Sequence, residues 1–467
     1  MRHDNKKPLR SRKPTAAQSR TQLRTQSRNQ EASITDGVSA ALLNATVEAT
    51  TRLLEFTQPA DAVLSAFFRE KKSGAHDRAF IAETAYAVLR RKRLLESLAS
   101  RKPSANPLAK PAAKKRIAPR DLVLLSLSRV RGLSQRQLEP ALLPDEAAWL
   151  AEIRHQPEPE LTLGEQLDLP DWLVERLSTR LPADELLSLA RALNSSAPLD
   201  LRVNSLKANR DTVLAQLNAE GIGALPCPYS PLGIRLKSKP FLQKHPLFLA
   251  GAIEVQDEGS QLLGYLLAPR RSEMVVDFCA GAGGKTLLLG AMMRSTGRLY
   301  AFDVADKRLA KLKPRMARAG LSNVHPILLS NENDIRVKRL AGKVDRVLVD
   351  APCSGLGTLR RNPDLKWRQS PQGVNELIHK QTDILTAAAR LLKPGGRLVY
   401  ATCSILDEEN AAIVDAFLAT HAGFHRLSAQ EVLAAQGIAI DCGEDFRLSP
   451  HKHGTDGFYA AVLERAK

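Results

Sequence analysis

The sequence predicts an α/β protein in which a doubly wound parallel sheet is preceded by a small α+β subdomain and an all-α N-terminal domain. Three observations support this. From residue 251 onward, Val/Ile/Leu-rich runs at Met274–Asp277, Arg298–Asp303, His325–Leu329, Arg346–Asp350 and Arg397–Ala401 alternate with helical stretches, the pattern of strands buried on both faces and joined by crossover helices. The first of these runs leads straight into a glycine-rich turn that opens a helix. Between 36 and 160, by contrast, apolar residues recur at helical spacing.

Composition narrows the class. The chain has 467 residues and 43% hydrophobic content, enough for two or three packed domains. No apolar run reaches the ~18–20 residues of a membrane helix, so no membrane partner is expected. The start, Met1-Arg-His-Asp-Asn-Lys-Lys-Pro, has no apolar segment behind it and predicts no secretory signal. The five cysteines, Cys227, Cys279, Cys353, Cys403 and Cys442, are widely spaced and odd in number. They suggest neither a disulfide framework nor a metal site. The expected setting is cytoplasmic and the expected protein a monomer without metal.

Net charge is +18, and residues 1–30 (+8) and 90–120 (+10) account for all of it. Positive charge concentrated in two segments points to nucleic acid through phosphate contacts and counterion release. A solvated tail and loop would look the same from charge alone. With aromatics at 4%, a groove lined with base-stacking rings is not the expected binding mode.

Taken in order, residues 1–35 are Arg-, Gln-, Ser- and Thr-rich and form an expected disordered basic tail. Their composition mimics an organelle transit peptide, but Leu9 and Leu23 alone make no apolar face. Residues 36–160 form the helical domain, with Ala41, Leu42, Leu43 and Val47, then Leu53 and Leu54, then Phe80, Ile81, Ala85, Val88 and Leu89 at helical spacing. A helix is expected near 78–98, then a proline-broken basic loop over 101–120, then a helix capped by Asp121. Residues 161–250 read as linker helices and a small α+β (RRM-like) subdomain: a strand from Leu199, a helix from Asp211 to Glu220 stopped by Gly221, and strand pieces near Ile222–Leu225 and Ile234–Leu236. Residues 251–467 form the catalytic domain, closed by a strand over Gly457-Phe-Tyr-Ala-Ala-Val-Leu-Glu.

The turn Asp277-Phe-Cys-Ala-Gly281-Ala-Gly283-Gly284-Lys285-Thr286 admits three chemistries. A phosphate loop needs glycine where this chain has Cys279, and a dinucleotide fingerprint needs glycine where it has Thr286. S-adenosylmethionine needs close backbone approach without a phosphate cradle, and an acid at the end of the next strand for the ribose. Asp303 occupies that place. A structural βα turn is the plain alternative.

Two strands end on cysteines: Val347-Leu-Val-Asp350-Ala-Pro-Cys353-Ser-Gly and Gly396-Arg-Leu-Val-Tyr-Ala-Thr402-Cys403-Ser404. Either cysteine alone reads best as a small buried hydrophobe. Together, on neighbouring parallel strands about 5 Å apart, they could face one pocket. Methylating C5 of a cytosine needs a thiolate at C6, a carboxyl near N3 and a base for the C5 proton. Two cysteines beside Asp350 fit that set.

At this point the chain resembles the RNA cytosine-5 methyltransferases of the Sun/Fmu (RsmB-like, NOL/NOP) family. The resemblance covers about 198–467 and rests on Leu201-Arg-Val-Asn-Ser, Val255-Gln-Asp-Glu-Gly-Ser-Gln-Leu, Asp277 to Thr286, Asp350-Ala-Pro-Cys-Ser-Gly, Tyr400-Ala-Thr-Cys-Ser and His453-Gly-Thr-Asp-Gly-Phe-Tyr. It implies a methyltransferase fold, S-adenosyl-L-methionine as cofactor and RNA, with 16S ribosomal RNA foremost, as substrate. It implies Cys403 as nucleophile, Cys353 as the residue assisting product release and C5 proton removal, and Asp350 at the cytosine edge. Cys279, Ala280, Gly281, Gly283, Gly284 and Lys285 would surround the cofactor with Asp350, Asp303 would take the ribose hydroxyls, and Asp334 would lie near adenine.

The turn departs from the family's Cys-Ala-Ala-Pro-Gly-Gly-Lys-Thr by carrying Gly281-Ala282. DNA cytosine methyltransferases use the Pro-Cys cysteine as nucleophile and carry a Glu-Asn-Val motif absent here, which favours RNA. Family members also carry a NusB-like helical domain, and residues 75–98 resemble its helix, so 36–160 reads as a degraded version that binds RNA. A tRNA methyltransferase and a non-catalytic ribosome assembly factor are the competing readings.

Overall fold

A computed structural model describes residues 37–101, 117–155 and 160–467. The basic tail 1–35 and most of the 101–120 loop lie outside the described residues. The chain divides into two compact units, Met1–Leu161 and Thr162–Lys467.

Among the described residues, the first unit is helical in all its regular elements. Its helices include Ala40–Leu53, Ala60–Lys71, Ala75–Arg90, Lys92–Ala99, Pro119–Leu125 and Pro144–His155, and all of these but Ala60–Lys71 contribute to a core that includes Leu43, Phe80, Val88, Leu95, Leu122 and Trp149. Ser39 starts the first of these by accepting from the Leu42 amide, satisfying one orphan donor of the first turn. Two expectations change here. The helix expected over 78–98 is two helices that break at Arg91, where φ is −113°; the break still lets Leu95 and Leu98 reach the core shared with Phe80 and Val88. Asp121 is not a cap: the helix begins at Pro119 behind Ala118, because proline's fixed φ is already helical and its missing N–H costs nothing at the first position.

The second unit opens with helices Leu163–Leu167, Asp171–Ser178 and Ala183–Leu193. A four-stranded antiparallel sheet follows, built from β1 (Leu199–Val203), β2 (Ala224–Pro226), β3 (Gly233–Leu236) and β4 (Ile253–Val255) in the order β2-β3-β1-β4. The expected boundary at 250/251 therefore falls one strand early, since Leu201 of β1 pairs with Val255 of β4. A three-residue strand followed at once by a helix, Glu258–Leu267, leaves too little periodicity to assign it to either neighbour.

The main sheet contains β5 (Met274–Asp277), β6 (Arg298–Asp303), β7 (Val324–Leu328), β8 (Val344–Asp350), β9 (Leu392–Thr402), β10 (Phe424–Leu427), β11 (Phe446–Leu448) and β12 (Phe458–Arg465). Its order is β10-β12-β9-β8-β5-β6-β7, with β11 added on β12. Strands β5 to β9 run parallel, and β12 lies antiparallel to β9. Alternate side chains feed two cores: Val275, Leu299, Leu348 and Val399 on one face, and Val276, Phe302, Val347 and Leu398 on the other. Burial on both faces explains why these strands read as continuous apolar runs. The chain leaves the centre through β5, winds outward to β7, and returns beside β5 as β8. That reversal is the topological switch point, and open α/β sheets bind ligands in the crevice at its carboxyl ends.

Candidate active site

A cavity of about 680 Å³ opens at that crevice. One wall is the turn after β5. Gly283 there has φ +87°, and a Cβ on it would stand 2.2 Å from Leu312, so both backbone and space call for glycine. The Gly281 amide donates to Asp303 Oδ2 at 2.7 Å and the Ala305 amide to Oδ1 at 2.7 Å. Asp303, at the end of β6, is thereby fixed against the turn. Asp277 at the end of β5 is fully buried and accepts from the Thr286 hydroxyl at 2.7 Å, while its other oxygen has no partner. Burial pushes its pKa up to about 7, with the Thr286 bond pulling the other way. Burial also pushes the Cys279 thiol well up.

The turn is braced from the small sheet. Arg202 of β1, buried and with its pKa lowered to about 10 by desolvation, donates to the Gly284 carbonyl at 2.7 Å and to Gln256. Asn204 donates to the carbonyls of Gly251 and Ala319 at 3.0 and 2.9 Å. The Leu201-Arg-Val-Asn-Ser motif thus ties the two sheets together.

The opposite wall carries the cysteines. β8 and β9 are neighbours, with Asp350 opposite Ala401, so Cys353 and Cys403 emerge side by side and their Sγ atoms lie 3.4 Å apart. The hydrogen bond to Cys403, followed by burial, pushes the Cys353 thiol well up, and either sulfur can be the donor across the 3.4 Å between them. The Gly357 amide holds the Cys403 carbonyl at 2.8 Å and the Gly457 amide holds the Gly357 carbonyl at 2.8 Å. A Cβ on Gly357 would sit 2.3 Å from the Gly457 oxygen, a close approach that only glycine permits. Lys285 Nζ reaches Asp350 Oδ2 at 2.5 Å. Burial opposes the charge on Lys285, but Asp350 outweighs it and the net shift is upward.

Of the residues expected at the site, Cys279, Ala280, Gly281, Asp303, Asp350, Cys353 and Cys403 line the cavity. Gly283, Gly284 and Lys285 stand behind it, serving the turn and Asp350. Asp334 is not brought to the cavity. It caps the short helix Ile335–Lys338, accepting from the Ser330 amide at 3.0 Å and from Arg336 at 2.6 and 2.8 Å. The Arg336 guanidinium, with the Ser330 and Arg336 amides, holds it far below the usual carboxylate range. Leu329 and Glu332 line the cavity in its place, as do Pro352, Lys380 and Ile384. Lys380 and Ile384 share one face of the helix Pro371–Ala389, an i, i+4 pair whose distance from every motif hid it from sequence reasoning.

Among the described residues one set of metal-ligand types converges, Asp200, Cys227 and Glu258. Asp200 is taken by Arg235 at 2.7 Å, and Glu258 by the Tyr229 and Ser230 amides at 2.5 and 2.8 Å.

A Rossmann-like sheet of this order, with a glycine turn and an acid at the ends of its first two parallel strands, defines the class as a methyltransferase of the S-adenosylmethionine-dependent fold. Residues 264–464 match the family described as 16S rRNA methyltransferase RsmB/F, and residues 169–241 match its ferredoxin-like domain. The ribosomal RNA small subunit methyltransferase B of Shewanella oneidensis is 34% identical over 406 residues, 84% of this chain and 91% of that one. The Sodalis glossinidius protein of the same name is 38% identical over 333 residues, 71% of each. The crystal structure of PH0851 superposes with a TM-score of 0.71 at 28% identity, over 92% of this chain and 99% of that one. The chain belongs to the RsmB/F family of 16S ribosomal RNA methyltransferases.

Proposed function

We propose that this protein methylates C5 of a cytosine in 16S ribosomal RNA through a covalent adduct on Cys403, with S-adenosyl-L-methionine as methyl donor. The observation that carries the reading is the 3.4 Å approach of the two sulfurs on adjacent strand ends, in one cavity with Asp350. The cavity also suits the donor: Asp303 stands where a ribose would be held, and Leu329, Pro352 and Ile384 offer apolar walls to a flat ring. When bound, the sulfonium supplies an electrophilic methyl group.

Cys403 adds through sulfur to C6, and the electrons of the C5–C6 double bond move onto C5, which becomes nucleophilic. Asp350, steadied by Lys285, meets the N3 edge where charge develops. After transfer, the C5 proton leaves, the double bond re-forms and the S–C6 bond breaks, returning its electron pair to Cys403. Cys353 gives its proton to the departing sulfur and takes up the C5 proton, and one proton, the one the methyl group replaces, passes to solvent as Cys403 returns to the thiolate that attacks. The target base leaves its stack to enter the cavity. The helical unit, with the basic segments 1–35 and 101–120, serves as the RNA-holding domain.

The test is a pair of variants. Cys353→Ser is expected to accumulate a protein–RNA adduct stable on a denaturing gel, because attack proceeds and release does not. Cys403→Ser should form none and lose methyl transfer by roughly a thousandfold or more. Methyl transfer retained by Cys403→Ser would overturn the nucleophile, and a methylated base other than cytosine would overturn the substrate.

A further inference from the structure

Between the two cysteine loops lies a carboxyl group that the reaction does not touch. Glu409 is fully buried, as is Gln381, and Ser354 and Ser404 are nearly so. Its Oε1 accepts from the Ser354 amide at 2.7 Å and from Gln381 Nε2 at 3.0 Å. Its Oε2 accepts from the Ser354 hydroxyl at 2.5 Å and from the Ser404 hydroxyl. Ser354 directly follows Cys353, and Ser404 directly follows Cys403.

The same Gln381 donates to the Pro352 carbonyl at 2.9 Å, so both residues flanking Cys353 are tied to the Glu409–Gln381 pair. The two serine hydroxyls also meet at 3.1 Å. Glu409 is itself anchored, since the buried Tyr400 hydroxyl donates to its carbonyl at 2.7 Å. Both Glu409 oxygens are satisfied, although Gln381 Oε1 has no partner, and removing the carboxylate leaves several buried donors unpaired at once.

We propose that Glu409 is a positioning residue for the methyl-transfer reaction, clamping the Cys353 and Cys403 loops through Ser354 and Ser404 so that the two sulfurs stay in contact. This rests on the reading in which both cysteines act. The clamp touches neither the base nor the cofactor and works by holding the pair in register, and a proton relay between two sulfurs depends steeply on that register. The charge on Glu409 also contributes, behind the Cys403 hydrogen bond and burial, to keeping the Cys353 thiol protonated.

The experiment measures two quantities on the full-length protein. One is steady-state methylation, resolved into kcat and KM. The other is thiol pairing in the absence of RNA: diamide accepts two electrons and two protons from Cys353 and Cys403, and the resulting disulfide is timed by peptide mass, with Cys353→Ser as the blank. Glu409→Ala is expected to lower kcat at least tenfold with KM for RNA and affinity for S-adenosylmethionine within twofold, and to slow pairing at least tenfold. Glu409→Gln keeps an acceptor for the amide, and the hydroxyls can turn to accept from its nitrogen, so both quantities should return to within about threefold of wild type. Should Glu409→Ala fail to fold, the double variant Ser354→Ala/Ser404→Ala carries the same expectation.

Wild-type kcat and pairing in the folded variant would overturn the clamp. So would a fall in kcat with pairing unchanged, or a Glu409→Gln protein as impaired as Glu409→Ala. Because pairing is read without RNA, methyl transfer by Cys403→Ser would sink the two-cysteine reaction and leave the clamp standing.

Discussion

The two walls of the cavity are held by different means. The turn after β5 is set by local backbone conformation and by one carboxyl, Asp303, gripping two amides, one just past the preceding strand and one just past its own. The cysteine rim is set by side chains converging from far along the sequence, with Glu409 reaching Ser354 across 55 positions. A cofactor shared by many enzymes can be met by a local motif, whereas aligning two sulfurs takes a three-dimensional network. Damage to the first wall should therefore appear as lost cofactor affinity, and damage to the second as lost turnover.

The largest effect on this division is expected from Asp303→Ala. Two amides lose their acceptor and, on the proposed reading, the ribose loses its partner, so affinity for S-adenosylmethionine should fall about a hundredfold, ~2.8 kcal/mol, by calorimetry. Diamide pairing of Cys353 and Cys403 should stay at the wild-type rate. Slowed pairing would show that the walls are not independent.

A smaller effect follows from Asp277. Its folded pKa of about 7 lies above its ordinary 3.8, so between those values the folded chain holds a proton that the unfolded chain has released. The contribution is fully present below 3.8 and is lost as pH rises toward 7. Raising pH from 5 to 8 should destabilise wild type relative to Asp277→Asn by about 2.6 kcal/mol, read from denaturant unfolding at each pH. A difference independent of pH would mean the buried carboxyl is already ionised at pH 5.

Asp334→Ala should have the smallest effect. Its carboxyl is spent on Ser330 and Arg336, so cofactor affinity should stay within twofold of wild type, while Glu332→Ala, on the cavity wall, weakens it more. The reverse ranking would restore Asp334 to the adenine site.

The contrast between the walls also explains what could be read from the amino-acid sequence. Strands β5, β6, β8 and β9 are visible because burial writes them as apolar runs, whereas the edge strand β7 is half-exposed and is legible from its place in the strand–helix alternation. β10 is a half-exposed edge strand and β4 and β11 have three residues each, so none of them leaves such a trace. Asp303 and the glycine turn are legible because their partners are near. Cys353, Cys403 and Asp350 stand out as reactive residues at strand ends. Glu409 sits in an acidic Asp407-Glu-Glu run that reads as solvated surface, and only the fold reveals that its last member faces inward. Lys380, Ile384 and Glu332 reach the cavity from segments that share no motif with it.

Arg202 carries a consequence for how this protein can be divided. Its guanidinium crosses from the small sheet to the carbonyl of Gly284, so the cofactor turn is completed by a residue 82 positions upstream. A fragment beginning at 251 would keep every motif residue of the turn and both cysteines, yet lack the donor that seats the turn and three of the four strands beside it. The ferredoxin-like region braces the turn directly, and a fragment beginning at 251 is expected to lose S-adenosylmethionine binding that one beginning before Leu199 retains.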